Sequence, residues 1–339
     1  MAARAPTARR SASPSGRGWG QGGGAGIREA IGGYHGRVLM IETLDFPLPG
    51  HGATRQRLRA LADLGRADLV AARLGEGHAD AVAIRAELGA GPTPEGQRWG
   101  VWAAAPSSVR ATLTPGGWRL TGDRPWCSGA AWCTHALVTA AADDGARLFA
   151  LRNEAPYAEP IDDTWPAIGM AGSDSRTVRF TAAPAEPIGE PGDYTGRPGF
   201  WHGGVGVAAV WFGGALGVAD TLYAAARDAG LGPHAFAHLG AVDVALGAAR
   251  AVLDEAATEI DADPGRDARA LALRVRATVE VAATEVIDRT GRALGAGPLC
   301  RDARHARRVA DLTVYLRQSH AESDLEQLGG LVAAKGPGW

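Results

Sequence analysis

Lysine is almost missing from this sequence: Lys335, close to the C-terminus, is the only one in 339 residues. Without an interior lysine there is no amine for a pyridoxal phosphate Schiff base and no phosphate-binding lysine for a P-loop, so both chemistries are excluded. Cysteine is scarce too. Cys127, Cys133 and Cys300 are odd in number and lack zinc-ligand spacing, which argues against a disulfide framework or a zinc ribbon and fits a reducing cytoplasm. Every run of about 18 residues contains an Arg, Asp or His that interrupts its apolar character, so no membrane span is expected. The formal net charge of −2 and the lack of a basic stripe argue against nucleic acid as a main partner. No Gly-x-Ser-x-Gly elbow and no pair of Cys-x-x-Cys motifs offers another chemistry.

What is present is globular. Hydrophobic residues make up 46% of the chain, enough for a substantial core, and the length allows about two domains. Residues 1–26 are rich in Ser, Gly and Arg with no acidic residue before Glu29, and 1–40 read as a disordered tail or a start assigned too early, with Met40 the candidate true start, ahead of a transit peptide. Gly18, Gly20 and Gly23 fit a GxGxxG pattern, but no strand precedes them to make it a nucleotide fingerprint. Residues 41–95 carry helical spacing at Leu58, Leu61 and Leu64 and again at Leu69, Val70 and Ala72, with Gly89-Ala-Gly-Pro as a stop. Residues 96–195 read as a small β domain. Helices are expected at about 201–229, 234–262, 266–293 and 301–327, divided by Gly230-Leu-Gly-Pro, Asp263-Pro-Gly and Gly295-Ala-Gly-Pro. The predicted fold class is therefore α+β: a shortened helical region, a small antiparallel β domain and a C-terminal four-helix bundle over 196–328, with a tail at 329–339.

The most informative stretch is Trp118-Arg-Leu-Thr-Gly-Asp-Arg-Pro-Trp-Cys-Ser-Gly-Ala130. Gly116-Gly117 and Gly122-Asp123 read as turn pairs, with short strands at Trp118–Thr121 and Pro125–Ser128 before a buried run at 136–140. Here the chain resembles the acyl-CoA dehydrogenase family, in which a Trp-x-Ser/Thr strand lays a ring and a hydroxyl against the isoalloxazine of FAD. Three further segments resemble the same family in the same order. They are Ile168-Gly-Met-Ala-Gly-Ser-Asp-Ser-Arg-Thr-Val-Arg-Phe180, Glu186-Pro-Ile-Gly189, and Gly291-Arg-Ala-Leu-Gly-Ala-Gly-Pro-Leu-Cys-Arg-Asp302, so the resemblance spans roughly residues 55–328.

That resemblance implies an FAD site, with FMN the less expected flavin, made of Trp126 and Ser128, with Trp102 beside the ring. Arg227 is implied at the diphosphate, and Gly295 and Gly297 at the adenosine-side turn. It implies a homodimer or homotetramer and a small-molecule substrate, an acyl-CoA thioester oxidised at a CH–CH bond. The family's catalytic Glu falls on Ala310, however, and its alternative place falls near Val207 or Ala208. The nearest carboxylate is Asp311, a displaced-base candidate. The family's Thr-Glu-Pro loop has become Ala104-Ala105-Pro106. Flavin monooxygenases of the same fold lack the Glu and shield the flavin with polar residues, which brings His305 and His320 forward beside Ser128. A catalytically degenerate flavoprotein subunit is the third reading. His234 and His238, four apart on a helix, could hold a metal, but no third ligand accompanies them and no metal site is assigned.

Overall fold

The computed structural model describes residues 46–104, 108–228 and 230–336. The expected tail at 1–40 and most of the Ala104–Pro106 loop lie outside the described residues. Two helices come first, α1 (Thr54–Ala67) and α2 (Leu69–Glu87). Asp68 separates them and caps α2, its carboxylate accepting from the Val70 and Ala71 amides at 3.0 Å. Buried Val70, Ala72, Ala81 and Ile84 place α2 in the interior; Glu76 is buried with them, and Arg73 and Asp80 are half-buried.

Seven strands follow: β1 (Trp99–Trp102), β2 (Arg110–Thr114), β3 (Gly117–Arg124), β4 (His135–Ala142), β5 (Gly145–Arg152), β6 (Ala158–Pro160) and β7 (Val178–Ile188). Pairing runs β2–β3–β7–β5–β4, and β4 returns to β2 through Arg110 and Ala141, so five strands close into a barrel around Leu120, Val138, Phe149 and Phe180. The sheet is mixed, not purely antiparallel, because β4 runs parallel to β2 and to β1, with Trp99 opposite His135 and Trp102 opposite Val138. Closure requires this: β4 needs a partner on its second side, and β1 and β2 share that side in succession. Two local expectations are corrected. Gly122-Asp123 is no turn but an irregularity inside β3, where Gly122 takes φ +123° and a Cβ would meet the Ser108 carbonyl oxygen at 2.5 Å. Pro125–Ser128 is not a strand but a turn, with Trp126 left-handed at φ +64°.

After a one-turn helix, α3 (Asp193–Gly196), come α4 (Gly199–Arg227), α5 (Pro233–Ala262) and α6 (Arg269–Leu294), close to their expected bounds. The fourth expected helix is divided into α7 (Gly297–Arg301), α8 (Ala303–Tyr315) and α9 (Glu322–Lys335). A 3₁₀ turn at Leu316–Gln318 and a left-handed Ala321 at φ +45° make the break, and α9 carries helix into the segment expected as a tail. Asp302 caps α8, accepting from the Arg304 and His305 amides.

Both α4 and α5 are long and apolar enough to cross a membrane, but 78% of the apolar window of α4 is buried inside the fold. Its glycines have a local use. A Cβ on Gly65 of α1 would meet the Val210 carbonyl oxygen at 2.6 Å, and one on Gly213 would collide with the Ala62 carbonyl, so α1 and α4 cross at backbone contact. Part of the small-residue content of α4 is thus spent on this contact within the chain.

Candidate functional site

Two barrel loops are stitched together above β1. The Cys127, Gly129 and Ala130 amides donate to the carbonyls of Arg176, Ser173 and Asp174 at 3.0, 2.7 and 3.1 Å, and the Ala131 amide donates to the Asp174 carboxylate at 2.8 Å. Asn153 pins the first loop from behind through the carbonyls of Ala130 and Cys133. Trp102 lies beneath it, 1% exposed, its indole N–H given to the Ser128 carbonyl at 3.0 Å. It therefore supports the loop from the core, not from an open face.

On the outside of this platform Trp126 is 55% exposed, with Trp165 edge-on at 6.1 Å between ring centroids. A large ring turned outward on a left-handed backbone is unfavourable on both counts, which keeps Trp126 a candidate site residue. Ile168, 90% exposed, extends the apolar surface beside the Met170 turn. Ser128 is half-buried at the edge of this patch. Its hydroxyl takes a hydrogen bond from Arg73 Nε at 3.2 Å and shares one with the Ser175 hydroxyl at 2.9 Å. Ser175 in turn meets the Ser173 hydroxyl at 2.8 Å, and Ser173 donates to the Met170 carbonyl at 2.8 Å.

Behind Ser128, Arg73 pairs with Glu76 in a very short contact, one helical turn along α2. Glu76 is 2% exposed. Burial, helped by the nearby Asp80 charge, pushes its carboxyl up to about 7 against the opposing pull of Arg73 and Arg57. The Tyr315 hydroxyl, buried and without a hydrogen-bond partner among the described residues, also faces this pair, and burial raises its pKa. A recess of about 10 Å³, room for one water, is lined by Arg73, Gly77, Trp99, Gly100, Ser128 and Cys133. A larger cavity of about 320 Å³, lined in part by His202, Asp263, Arg274 and Val332, shares no residue with this cluster. It lies by the start of α4, which joins the far end of α2 at Glu87, on the order of 20 Å along the helix from Arg73.

The expected site residues separate into two groups. Trp126, Ser128 and Trp102 come together as described. Asp311 joins them indirectly: its carboxylate is 6% exposed and accepts from the Met170 amide at 2.6 Å, with burial raising its pKa. It ties α8 to the Met170 turn, and Gly169 lies so close to the Ala310 carbonyl that a Cβ there would collide. Asp311 is therefore a latch between α8 and this turn, through one of its two carboxylate oxygens. The other residues lie elsewhere. His305 is buried against Thr221 of α4, Nδ1 to Oγ1 at 2.9 Å, and burial lowers its pKa. His320 has a 77% exposed side chain held to Asp324 beside α9. Arg227 is the exposed last residue of α4, Gly295 ends α6 at φ +64°, and Gly297 opens α7. His234 and His238 have no third His, Cys, Asp or Glu beside them among the described residues.

Arg73, Glu76, Ser173 and Ser175 are the members that sequence reasoning missed. The available signal was two opposite charges three residues apart inside the otherwise apolar run Leu69–Gly77.

No protein-family profile and no characterised protein's sequence matches the chain. Solved structures do. TdsC from Paenibacillus sp. A11-2, in complex with FMN and indole, superposes with a TM-score of 0.69 at 20% identity, over 82% of this chain and 83% of that one. The chain shares its fold. Methanesulfinate monooxygenase MsuC from Pseudomonas fluorescens gives 0.68 at 17% identity, over 81% and 82%. KijD3, in complex with FMN and a dTDP-linked amino-keto sugar, gives 0.68 at 18%, over 92% and 95%.

Proposed function

We propose that the chain is a flavin-dependent oxidoreductase of the monooxygenase kind, with the flavin ring against Trp126 and Ser128. The observation that carries this reading is the pairing of a solvent-facing Trp126 with a Ser128 hydroxyl that has a fixed cation behind it. A flavin needs an apolar stacking face and an ordered polar edge, and these residues fit both needs. Bound in its reduced form, a flavin would supply the two electrons with which dioxygen gives one oxygen atom to a substrate and the other to water. Trp126 would stack on the ring, Trp165 and Ile168 would add apolar surface beside it, and Arg73 holds the Ser128 hydroxyl in place.

Between the two enzyme readings, the disposition of carboxylates favours the monooxygenase. Acyl-CoA dehydrogenation needs a basic carboxylate facing the substrate α-carbon; Ala310 holds the usual place, and Asp311 is occupied by the Met170 amide. The ring-and-ribityl half common to FMN and FAD carries the flavin assignment, because Arg227, Gly295 and Gly297 serve as helix end, cap and start.

The test is a pair of assays on protein loaded with flavin. Anaerobic addition of acyl-CoA is expected to leave the flavin spectrum unchanged, while reduced flavin, oxygen and an aromatic or sulfur substrate such as indole, dibenzothiophene or methanesulfinate are expected to give oxygenated product. Bleaching by acyl-CoA that is lost in Asp311→Asn would restore the dehydrogenase reading.

A further inference from the structure

The hydroxyls around Ser128 form a chain with a defined direction. The Met170 carbonyl can only accept, so the contact from Ser173 at 2.8 Å uses the Ser173 hydrogen. Ser173 must then accept from Ser175 across their 2.8 Å contact, and Ser175 must accept from Ser128 across 2.9 Å. At the other end Arg73 Nε can only donate, and it donates to Ser128. All four bonds are made in one sense only: Arg73 to Ser128 to Ser175 to Ser173 to the Met170 carbonyl. The single hydrogen of Ser128 is thus committed, and of its two acceptor positions one is filled by Arg73 and one remains.

We propose that Arg73, Ser175 and Ser173 are positioning residues that hold the Ser128 hydroxyl as an acceptor, so that the site takes reduced flavin in preference to oxidised flavin. This rests on the reading that flavin binds at Trp126 and Ser128. The physical basis is complementarity: the central ring of reduced flavin carries an N–H where oxidised flavin has a bare ring nitrogen. An acceptor hydroxyl satisfies the first and faces the second lone pair to lone pair. Turning Ser128 round to donate would set two acceptors against each other further along, or break the bond from Ser173 to Met170. The chain is anchored at both ends, by a backbone carbonyl on a turn latched to α8 and by a guanidinium held by Glu76. A lone serine on a loop would rotate to suit either form; this one is constrained.

The test is equilibrium binding of the full chain to FMN and to FAD, each oxidised and each reduced under anaerobic conditions, read by flavin absorbance and calorimetry. The reduced form is expected to bind more tightly by about threefold to tenfold, the net worth of one hydrogen bond. Ser175→Ala frees the Ser128 hydrogen and is expected to erase most of that ratio, chiefly by tightening the oxidised form. Ser173→Ala, which does not touch Ser128, is expected to shrink the ratio in the same way by releasing the far end. Equal affinities for the two redox states in the unaltered chain, or variants that weaken both states equally, overturn the inference while leaving the flavin site in place. Failure to bind flavin in either state overturns the flavin reading itself.

Discussion

Trp126 concentrates the conflict between stability and function at a single residue. Its left-handed backbone and outward ring both oppose folding, so two truncations separate the terms. Trp126→Ala keeps a side chain at φ +64° and Trp126→Gly does not; the Gly variant is expected to be the more stable of the two by about 1 kcal/mol in urea unfolding. Both are expected to lose flavin affinity, and an Ala variant as stable as the Gly variant would show that the turn is not strained. Glu76 gives a second handle. Its carboxyl is raised from 4.5 to about 7 in the folded chain, so the folded state binds the proton more tightly than the unfolded one. Stability from this group is full below about 4.5 and is lost as pH rises through about 7. A melting-temperature profile should show a fall in that window that Glu76→Gln removes; the same fall in the variant would assign it to other groups. Trp126 and Ser128 entered as candidates through the family resemblance alone, and both lie on the loop that follows β3. Arg73 and Glu76 could not be read as site residues, because their meaning depends on α2 being packed on nearly all sides.

At the scale of elements, the helices were the most legible. Apolar spacing and Gly-Pro breaks set α1, α2, α4, α5 and α6 close to where they are found. What failed was local geometry that only pairing decides: the β3 irregularity at Gly122, the turn at Pro125–Ser128, and the break at Leu316–Gln318 that makes α8 and α9 from one apolar pattern. Parallel pairing along β4 likewise has no local signature, since it follows from closing the barrel. The α1–α4 crossing is testable as a unit. Gly213→Ala drives a methyl into the Ala62 carbonyl, and the expected outcome is a loss of about 1–3 kcal/mol in denaturant unfolding with α1 displaced. Gly240→Ala on α5, where no atom lies within 4 Å of the added Cβ, is expected to stabilise slightly as a helix substitution. Equal effects at the two positions would contradict the close crossing.

For the whole molecule, two helices, a mixed barrel of strands and a helical C-terminal part follow one another along the chain, and the likeness to TdsC, MsuC and KijD3 is a likeness of fold. Quaternary structure is carried forward as a proposal, a homodimer or homotetramer. Only 22% of the apolar window of α5 is buried, and Val244 there and Val281 on α6 are 72% and 70% exposed. Light scattering should report an oligomer, with Val244→Glu shifting it toward monomer; a monomeric parent chain would contradict this. Function rests on one binding event. The decisive measurement is a titration of the purified chain with FMN and FAD, followed by visible absorbance, in parallel with Ser128→Ala and Trp126→Ala. A saturable perturbation of the flavin band that weakens in both variants is the expected result, and a chain that leaves both flavin spectra unperturbed in either redox state would contradict the assignment of this site.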